Sequence, residues 1–298
     1  MDCQELRGIL PAVLTPLDHS GNFQERPFEL LLERLYSAGV DGLYLCGQAG
    51  EGLSQPMDQR KRIVETAIRL SPPERLLIVQ VGAIRTSEAI ALAEHAAKVG
   101  AHAVASLPPI GETSFREIFL YYETLARASD LPLLVYHHPG VCPLMTPEHA
   151  LELCSIPNVV GLKFTDLDLF GLSVIRERGH IVFNGRDEIL AAGLLMGANG
   201  GIGAFYNIVP EAIVTIHDLA TRDRWADAAH HQVSLNQLFR ELLRFPLVPA
   251  LRAILAFSGL DIGESMPPRR SLTASEREAL RKIAEQSMWL NHRAPVVD

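Results

Sequence analysis

The sequence predicts an α/β fold, a closed (β/α)8 TIM barrel with a C-terminal helical extension. Short runs rich in Val, Ile and Leu alternate with segments of helical periodicity, as in βαβ units whose parallel sheet is covered on both faces. Eight such units occur with short connections, which favours a closed barrel over an open doubly wound sheet. After Thr221 the pattern is purely helical. We therefore expect a barrel over residues 1–222 and a helical extension over residues 223–298 that packs on the barrel.

Each strand is predicted from an apolar run, and each helix from the period of apolar positions that follows it. The predicted strands span residues 8–15, 42–47, 76–82, 103–107, 131–137, 159–165, 181–184 and 200–205. The predicted barrel helices span residues 26–38, 56–70, 87–99, 115–128, 147–154, 169–178, 188–196 and 210–221. The extension contributes helices over residues 225–243, 248–257 and 275–290.

Several helix ends carry residues that start or stop a helix. Thr86 and Thr146 are small polar residues followed by a Pro or an acid, which is typical of an N-cap and first turn. Gly39, Gly100 and Gly197 stand where helices end before the next strand, as left-handed C-terminal caps do.

Composition and charge exclude several classes of function. The chain has 298 residues, of which 48% are hydrophobic, so it can bury a large core. A net charge of -8 offers no basic surface to nucleic acid, and no basic run is longer than residues 60–62. The N terminus does not resemble a secretion signal, and no apolar window reaches the ~18 residues of a membrane span. We expect a cytoplasmic protein with no nucleic-acid or membrane partner.

The cysteines and histidines do not form a metal-binding pattern. The four cysteines lack CxxC spacing, so free buried thiols are expected rather than disulfides or a zinc cage. His137 and His138 are neighbours on a predicted strand and point to opposite faces, so they cannot share one ion there. We predict no metal and no cofactor.

Lys163 is the most informative residue of the sequence. The chain has four lysines, and this one alone lies within a predicted strand, over residues 159–165. Alternation places Gly161, Lys163 and Thr165 on the face that looks into the barrel. Burial lowers the pKa of an amine, and the neutral amine can attack a carbonyl to form a Schiff base. A lysine paired with a buried acid, or one that reaches past the rim, would also explain the pattern.

Two other strand ends carry polar or glycine-rich segments. Tyr136 lies near the end of the fifth predicted strand, next to that of Lys163, and His138 follows directly after it. Both supply acid–base groups, although a Tyr there is also an ordinary rim residue. Residues 46–52 form a glycine-rich turn after the second strand, whose backbone amides can hold a carboxylate. The turn has neither P-loop nor dinucleotide-binding spacing. The segment 197–203 is explained by close backbone packing.

These segments together resemble the dihydrodipicolinate synthase and N-acetylneuraminate lyase family of pyruvate-dependent class I aldolases, closer to the lyase branch. The matches are Thr15-Pro16, Gly47-x-x-Gly50-Glu51, Val135-Tyr136-x-x-Pro139, Gly161-Leu162-Lys163-Phe164-Thr165 and the segments 184–188 and 200–207. The resemblance implies that Lys163 forms an imine with a 2-keto acid and that Tyr136 relays protons. It also implies substrate-binding positions at Gln48, Ala49, Gly50, His138, Thr165, Gly185, Asp187, Glu188, Ile202 and Ala204.

The chain departs from the family pattern at positions that affect the substrate. Gln48 and Ala49 replace a Ser or Thr pair that binds the pyruvate carboxylate and passes protons to the tyrosine. Ala204 stands where lyases carry a sugar-binding Ser, and Ile110 where many members place an aromatic hydroxyl from a neighbouring subunit. Val141 replaces the Arg with which the synthase branch binds a second carboxylate, which disfavours dihydrodipicolinate synthesis.

The sequence therefore predicts a carbon–carbon lyase that cleaves or forms a C–C bond in a 2-keto-3-deoxy sugar acid or sialic-acid-like substrate, with pyruvate as product or donor. Dehydration of a 2-keto-3-deoxy sugar acid through the same imine is one alternative. A non-catalytic paralogue that only binds a keto acid or sugar acid is another. The family resemblance also implies a homodimer or homotetramer.

Overall fold

The computed structural model describes residues 6–111 and 113–290 and forms an eight-stranded parallel barrel surrounded by helices. The strands are β1 (Gly8–Pro11), β2 (Gly42–Leu45), β3 (Leu76–Gln80), β4 (Ala103–Ser106), β5 (Leu133–His137), β6 (Val159–Phe164), β7 (Ile181–Asn184) and β8 (Gly200–Gly203). The barrel helices are α1 (Glu25–Ser37), α2 (Met57–Leu70), α3 (Thr86–Val99), α4 (Phe115–Ala126), α5 (Pro147–Leu153), α6 (Leu169–Glu177), α7 (Leu190–Leu195) and α8 (Pro210–Thr221). The C-terminal helices are α9 (Trp225–Leu242), α10 (Leu247–Phe257) and α11 (Ala274–Gln286).

The strands follow one another around the barrel in chain order. Every neighbouring pair from β2 to β8 is parallel, and β8 pairs with β1 from Gly8–Gly200 to Pro11–Gly203. Between β1 and β2 the ring closes through a single parallel bridge, Ala12–Tyr44. The predicted TIM barrel is therefore confirmed, and the C-terminal ends of all eight strands meet at one rim.

The strands are mostly shorter than predicted, because their last predicted residues leave the sheet and enter the loops of that rim. The predicted cap at Thr146 is confirmed, since its side chain accepts a hydrogen bond from the His149 amide. The cap at Thr86 was wrong: α3 begins at this residue, and the preceding Arg85 occupies the cap position without a side-chain hydrogen bond. Gly39, Gly100 and Gly197 all adopt positive φ, between 89° and 93°, as predicted.

The predicted helix over residues 188–196 is two elements in the structure, a 3-10 turn at Asp187–Ile189 followed by α7. The tighter turn is fixed from two sides. The Asp187 carboxylate accepts a hydrogen bond of 2.8 Å from the Phe205 amide, and the Asp187 carbonyl accepts one of 3.1 Å from Gln232 in α9. The C-terminal helices thus position a loop at the barrel rim.

Glycines in β8 leave room for this carboxylate. A Cβ on Gly203 would lie 2.2 Å from Asp187 Oδ1, and one on Gly201 would lie 2.3 Å from the Tyr206 hydroxyl. Both distances are far below van der Waals contact, so close packing at β8 requires glycine, as the sequence indicated.

Two predictions on the rest of the chain can be compared with the structure. Cys46, Cys142 and Cys154 are free and buried, as expected, while Cys3 lies outside the described residues. None of the helices within residues 6–111 and 113–290 is long and apolar enough to cross a membrane.

Candidate active site

A cavity of about 250 Å³ opens at the C-terminal ends of the strands. Eleven of the twelve residues predicted for the site line it: Gln48, Ala49, Tyr136, His138, Lys163, Thr165, Gly185, Asp187, Glu188, Ile202 and Ala204. The other lining residues are Ala12, Arg186, Phe205, Leu243, Leu247, Val248 and Arg269, of which the last four come from the chain beyond α8.

Lys163 lies at the inner end of the cavity and is 4% exposed. Its Nζ is 4.0 Å from the ring centroid of Tyr136 and 4.3 Å from that of Tyr44. Burial lowers the pKa of Lys163 from 10.5 to about 7, while the Asp187 carboxylate acts in the opposite direction. A large fraction of this amine is therefore neutral near pH 7, and the two aromatic faces favour the cationic form that an imine would carry.

Tyr136 is opposite Lys163 in the parallel pairing of β5 and β6. Its hydroxyl donates a hydrogen bond of 3.3 Å to Gln48 Oε1. Burial raises the pKa of Tyr136 well above its usual range, and the nearby Thr165 hydroxyl opposes that shift. The phenol is therefore protonated at neutral pH and can act as a proton donor beside the amine.

The turn that carries Gln48 and Ala49 is held from below. The Gly50 carbonyl accepts hydrogen bonds from the Thr15 hydroxyl at 2.9 Å and from Gln55 Nε2 at 2.6 Å. Gly50 itself is not a lining residue, and a Cβ there would lie 2.6 Å from the Val13 carbonyl oxygen. The structure thus brings Gln48 and Ala49 into the cavity and leaves Gly50 in the packing beneath them.

Glu51 anchors the same turn to the C-terminal extension. It adopts a left-handed conformation with φ of 56°, which costs free energy for a residue with a side chain. Its buried carboxylate forms a 2.7 Å ion pair with Arg252 of α10, lies 3.4 Å from Arg269 Nε, and accepts a hydrogen bond from the Met266 amide. Arg252 also donates to the Thr15 carbonyl at 2.7 Å, so the network joins the turn, β1 and the extension.

Asp187 is the second buried ionisable group of the cavity and is 6% exposed. Burial raises the pKa of Asp187 to about 7, while the Phe205 amide and Lys163 lower it. The Asp187 carboxyl and the Lys163 amine therefore titrate in the same range and depend on each other.

His138 and Thr165 add neutral polar groups to the wall. Burial and the charges of Arg186 and Lys163 lower the pKa of His138 to about 4, so its ring is neutral at pH 7. Its Nδ1 accepts a hydrogen bond of 3.2 Å from the Gly140 amide. The Thr165 hydroxyl is buried beside the Tyr136 phenol, and Thr165 lines the cavity.

His137 faces away from this cavity. It is fully buried, its ring stacks on Phe164 with centroids 4.8 Å apart, and its Nε2 is 3.1 Å from Asp166 Oδ2. Within the part of the chain that the structure describes, no three His, Cys, Asp or Glu residues are placed to hold a metal ion.

Sequence reasoning missed Tyr44, Arg186 and Arg269. Tyr44 lies inside β2 and has the signature of an ordinary core residue. Arg269 follows α10 in a loop without any distinctive motif, 221 residues from Gln48, whose carbonyl its Nη2 approaches to 3.4 Å. Arg186 could have been predicted from the sequence, because it lies between two predicted site residues, Gly185 and Asp187.

Comparisons with known proteins identify the family to which the chain is similar. The model of the dihydrodipicolinate synthetase family matches residues 5–287. The N-acetylneuraminate lyase of Rhizobium meliloti (strain 1021) is 34% identical over 289 residues, which cover 96% of this chain and 97% of that protein. The solved structure of a Clostridium difficile protein, CdNal, in complex with mannosamine has a TM-score of 0.88 and 28% identity, covering 93% of this chain and 98% of that one. YagE of E. coli K12, of the dihydrodipicolinic acid synthase family and solved with pyruvate, has a TM-score of 0.88 and 26% identity, covering 94% and 98%.

Proposed function

Because the chain belongs to the dihydrodipicolinate synthetase family and is a carbon–carbon lyase, we propose that it acts on a 2-keto-3-deoxy sugar acid or sialic-acid-like substrate through a Schiff base on Lys163. The single observation that carries the proposal is the position of the Lys163 amine, buried, largely neutral and between two aromatic rings at the inner end of the cavity. Such an amine is both nucleophilic and able to become a stabilised cation.

The first step joins the substrate to the enzyme. The lone pair of the Lys163 amine attacks the C2 carbonyl carbon, and the carbinolamine loses water to give a protonated imine. The substrate carboxylate lies against the turn at Gln48 and Ala49, where backbone amides and the guanidinium of Arg269 are the available donors.

The second step breaks the C3–C4 bond. The C4 hydroxyl loses its proton to the Tyr136 oxygen as the electron pair of the bond moves into the imine, which yields an aldehyde and an enamine. Because the pKa of Tyr136 is raised, its phenol passes its own proton on in the same step. Neither Gln48 nor Ala49 carries an exchangeable hydroxyl, so the acceptor in this proposal is the substrate carboxylate.

The last step returns the enzyme to its starting state. The proton moves back through Tyr136 to C3 of the enamine, and water hydrolyses the resulting imine to pyruvate and the free Lys163 amine. The three steps together release one water and consume one, so cleavage needs no oxidant, reductant or cofactor.

Borohydride trapping tests the imine. The protein is incubated with pyruvate and borohydride, digested and analysed by mass spectrometry, with the peptides of Lys61, Lys98 and Lys282 as internal controls. We expect a reduced adduct on Lys163 alone and none in Lys163→Met. An unmodified Lys163 peptide would refute the proposed chemistry.

Product analysis separates this function from its alternatives. Cleavage of N-acetylneuraminate or of a 2-keto-3-deoxy acid releases pyruvate and an aldehyde, whereas dehydration leaves the carbon chain intact. Trapping of pyruvate without turnover of N-acetylneuraminate or of any 2-keto-3-deoxy acid would identify a binding protein. That result would contradict the proposed substrate class.

A further inference from the structure

Arg60 is a buried cation without an anionic partner in the part of the chain that the structure describes. It lies in α2 and is 3% exposed. Its guanidinium donates to neutral acceptors, which are the Gln80 carbonyl at 2.6 Å, Gln80 Oε1 at 3.1 Å and the Gly82 carbonyl at 3.0 Å. The carboxylate that acts on it from a distance, that of Glu88, is 3.6 Å from Arg85 Nη1 instead. Because burial of an unpaired charge is costly, an anion is the expected partner of this guanidinium.

Three buried polar atoms around this guanidinium have no hydrogen-bond partner within residues 6–111 and 113–290. They are Arg60 Nε, Gln80 Nε2 and the Tyr44 hydroxyl oxygen. The Gln80 amide is oriented by Arg60, because its oxygen accepts from the guanidinium and its nitrogen is the end without a partner. The charge of Arg60 also lowers the pKa of the Tyr44 phenol, against the larger effect of burial. All three groups can donate a hydrogen bond, and buried donors are rarely left unpaired.

The partner of these three donors must be small. A Cβ at Gly82 would lie 3.5 Å from Gln80 Nε2 but only 2.7 Å from Ser106 Oγ, so even one added carbon is crowded beside the amide. The Ser106 hydroxyl is already bonded to the Leu107 carbonyl and to Tyr121. A water molecule suits three donors poorly, because it accepts two hydrogen bonds and has two of its own to donate. A halide ion accepts from several directions and carries the charge that the guanidinium lacks.

We propose that Arg60, Gln80 and Tyr44 together bind a halide ion such as chloride inside the protein. These residues do not line the cavity at Lys163, so the ion would not compete with the substrate. The two sites are neighbours, because the Tyr44 ring centroid is 4.3 Å from Lys163 Nζ. The ion would therefore balance the buried charge of Arg60 and fix the hydroxyl of a tyrosine whose ring faces the reactive amine. This inference goes beyond the proposed function, and its tests use no substrate.

Bromide identifies the ion in a crystal. The wild-type protein is crystallised with sodium bromide as the halide salt, and an anomalous difference map is calculated at the bromine absorption edge. We expect a peak in contact with Arg60 Nε, Gln80 Nε2 and the Tyr44 hydroxyl. Density at this place without an anomalous signal would indicate water and would overturn the proposal. Peaks on the surface alone would show adventitious ions only, with the same conclusion.

Thermal unfolding measures the binding in solution. The protein is purified in sodium gluconate, which sodium bromide then replaces at constant ionic strength, so that general screening stays the same. A ligand at about 100 times its Kd raises the unfolding midpoint of a chain of this size by about 4 °C. We expect a rise of this order that saturates with bromide concentration. A midpoint that does not respond to bromide would overturn the proposal.

Gln80→Glu supplies the anion from the chain itself. Its carboxylate would stand where Gln80 Oε1 is 3.1 Å from Arg60 Nη2, and would neutralise the guanidinium. We expect the unfolding midpoint of this variant to be independent of bromide. Gln237→Glu, at an exposed position of α9, is the matched control and should respond as the wild-type protein does. An equal response in Gln80→Glu would show a general salt effect and would overturn the proposal.

Tyr44→Phe tests the third donor and keeps the proposal falsifiable if Gln80→Glu does not fold. The substitution removes one hydroxyl and no charge. Loss of one hydrogen bond to a charged group should raise the bromide concentration at half of the full effect by about 10-fold. An unchanged concentration would exclude Tyr44 from the site and would overturn the arrangement of three donors.

Discussion

Replacement of Asp187 by Asn should make imine formation possible at lower pH. Burial holds the pKa of Lys163 at about 7 instead of 10.5. At pH 7.5 about three quarters of such amines are neutral, compared with about one in a thousand for an ordinary lysine. Desolvation at the inner end of the cavity therefore raises the concentration of the nucleophile by roughly three orders of magnitude.

Asp187 limits this effect, because its carboxylate favours the protonated amine. Asn has nearly the same shape and can still accept the hydrogen bond of the Phe205 amide, so the substitution removes the charge and little else. A lost charge partner shifts a pKa by about one unit or more. Because the pKa of Asp187 is itself raised to about 7, its carboxyl loses its charge over the same pH range in which the amine becomes protonated. The pH at which half of the Lys163 amine is neutral should therefore move below about 7 in Asp187→Asn, by less than that full shift.

The measurement is the initial rate of pyruvate trapping on Lys163 between pH 5 and 9, with cyanoborohydride as the reductant and peptide mass spectrometry as the readout. The rate should rise with pH through about 7 in the wild-type protein and at lower pH in Asp187→Asn. Asp166→Asn is the matched control, because that carboxylate pairs with His137 outside the cavity. A wild-type midpoint above pH 9, or a shift to higher pH in Asp187→Asn, would refute the assigned causes of the pKa.

Three other substitutions give distinct outcomes. Tyr136→Phe keeps the aromatic face beside the Lys163 amine, so the rate of pyruvate trapping should change by no more than a few-fold. The rate of pyruvate release from the substrate should fall by about 10²- to 10⁴-fold. A smaller loss would exclude the phenol from proton transfer. Gln48→Ser combined with Ala49→Thr adds hydroxyls beside the phenol and should raise kcat for N-acetylneuraminate cleavage by about 10-fold or more, and an unchanged kcat would show that proton transfer does not limit the rate. In urea unfolding, Arg252→Met should lower the free energy of unfolding by about 3 to 5 kcal/mol, because a buried carboxylate loses its partner, whereas Arg244→Met in an exposed ion pair should cost less than about 1 kcal/mol. Equal losses in these two variants would contradict the role of burial.

The sequence was sufficient to predict the barrel and the residues at the ends of its strands. Lys163 and Tyr136 stood out because a polar side chain at the end of an apolar strand must face the rim of such a barrel, and both line the cavity. The alternation of side chains along a strand assigns each residue to one face of that strand. That assignment was sufficient to predict that Lys163 and Tyr136 face the cavity.

The residues that were missed depend on information that periodicity does not contain. Arg269 reaches the cavity from a loop more than 200 residues beyond Gln48, so only the packing of the extension brings the two together. Tyr44 was indistinguishable from a core aromatic, since its ring is buried and only its distance from the Lys163 amine gives it a second role. Gly50 was placed in the site with its neighbours, but the turn directs it toward the Val13 carbonyl instead.

The ion pair between Glu51 and Arg252 has a consequence for how the protein is made. The two residues are 201 positions apart, and the first is needed for the shape of the turn that lines the cavity. A ribosome adds about 5 to 20 residues per second, so roughly 10 to 40 seconds pass between their synthesis. During that interval the nascent barrel has an unneutralised carboxylate beneath the proposed pyruvate site. The last helices therefore do more than cover the barrel, since the binding site is complete only when nearly the whole chain has been translated.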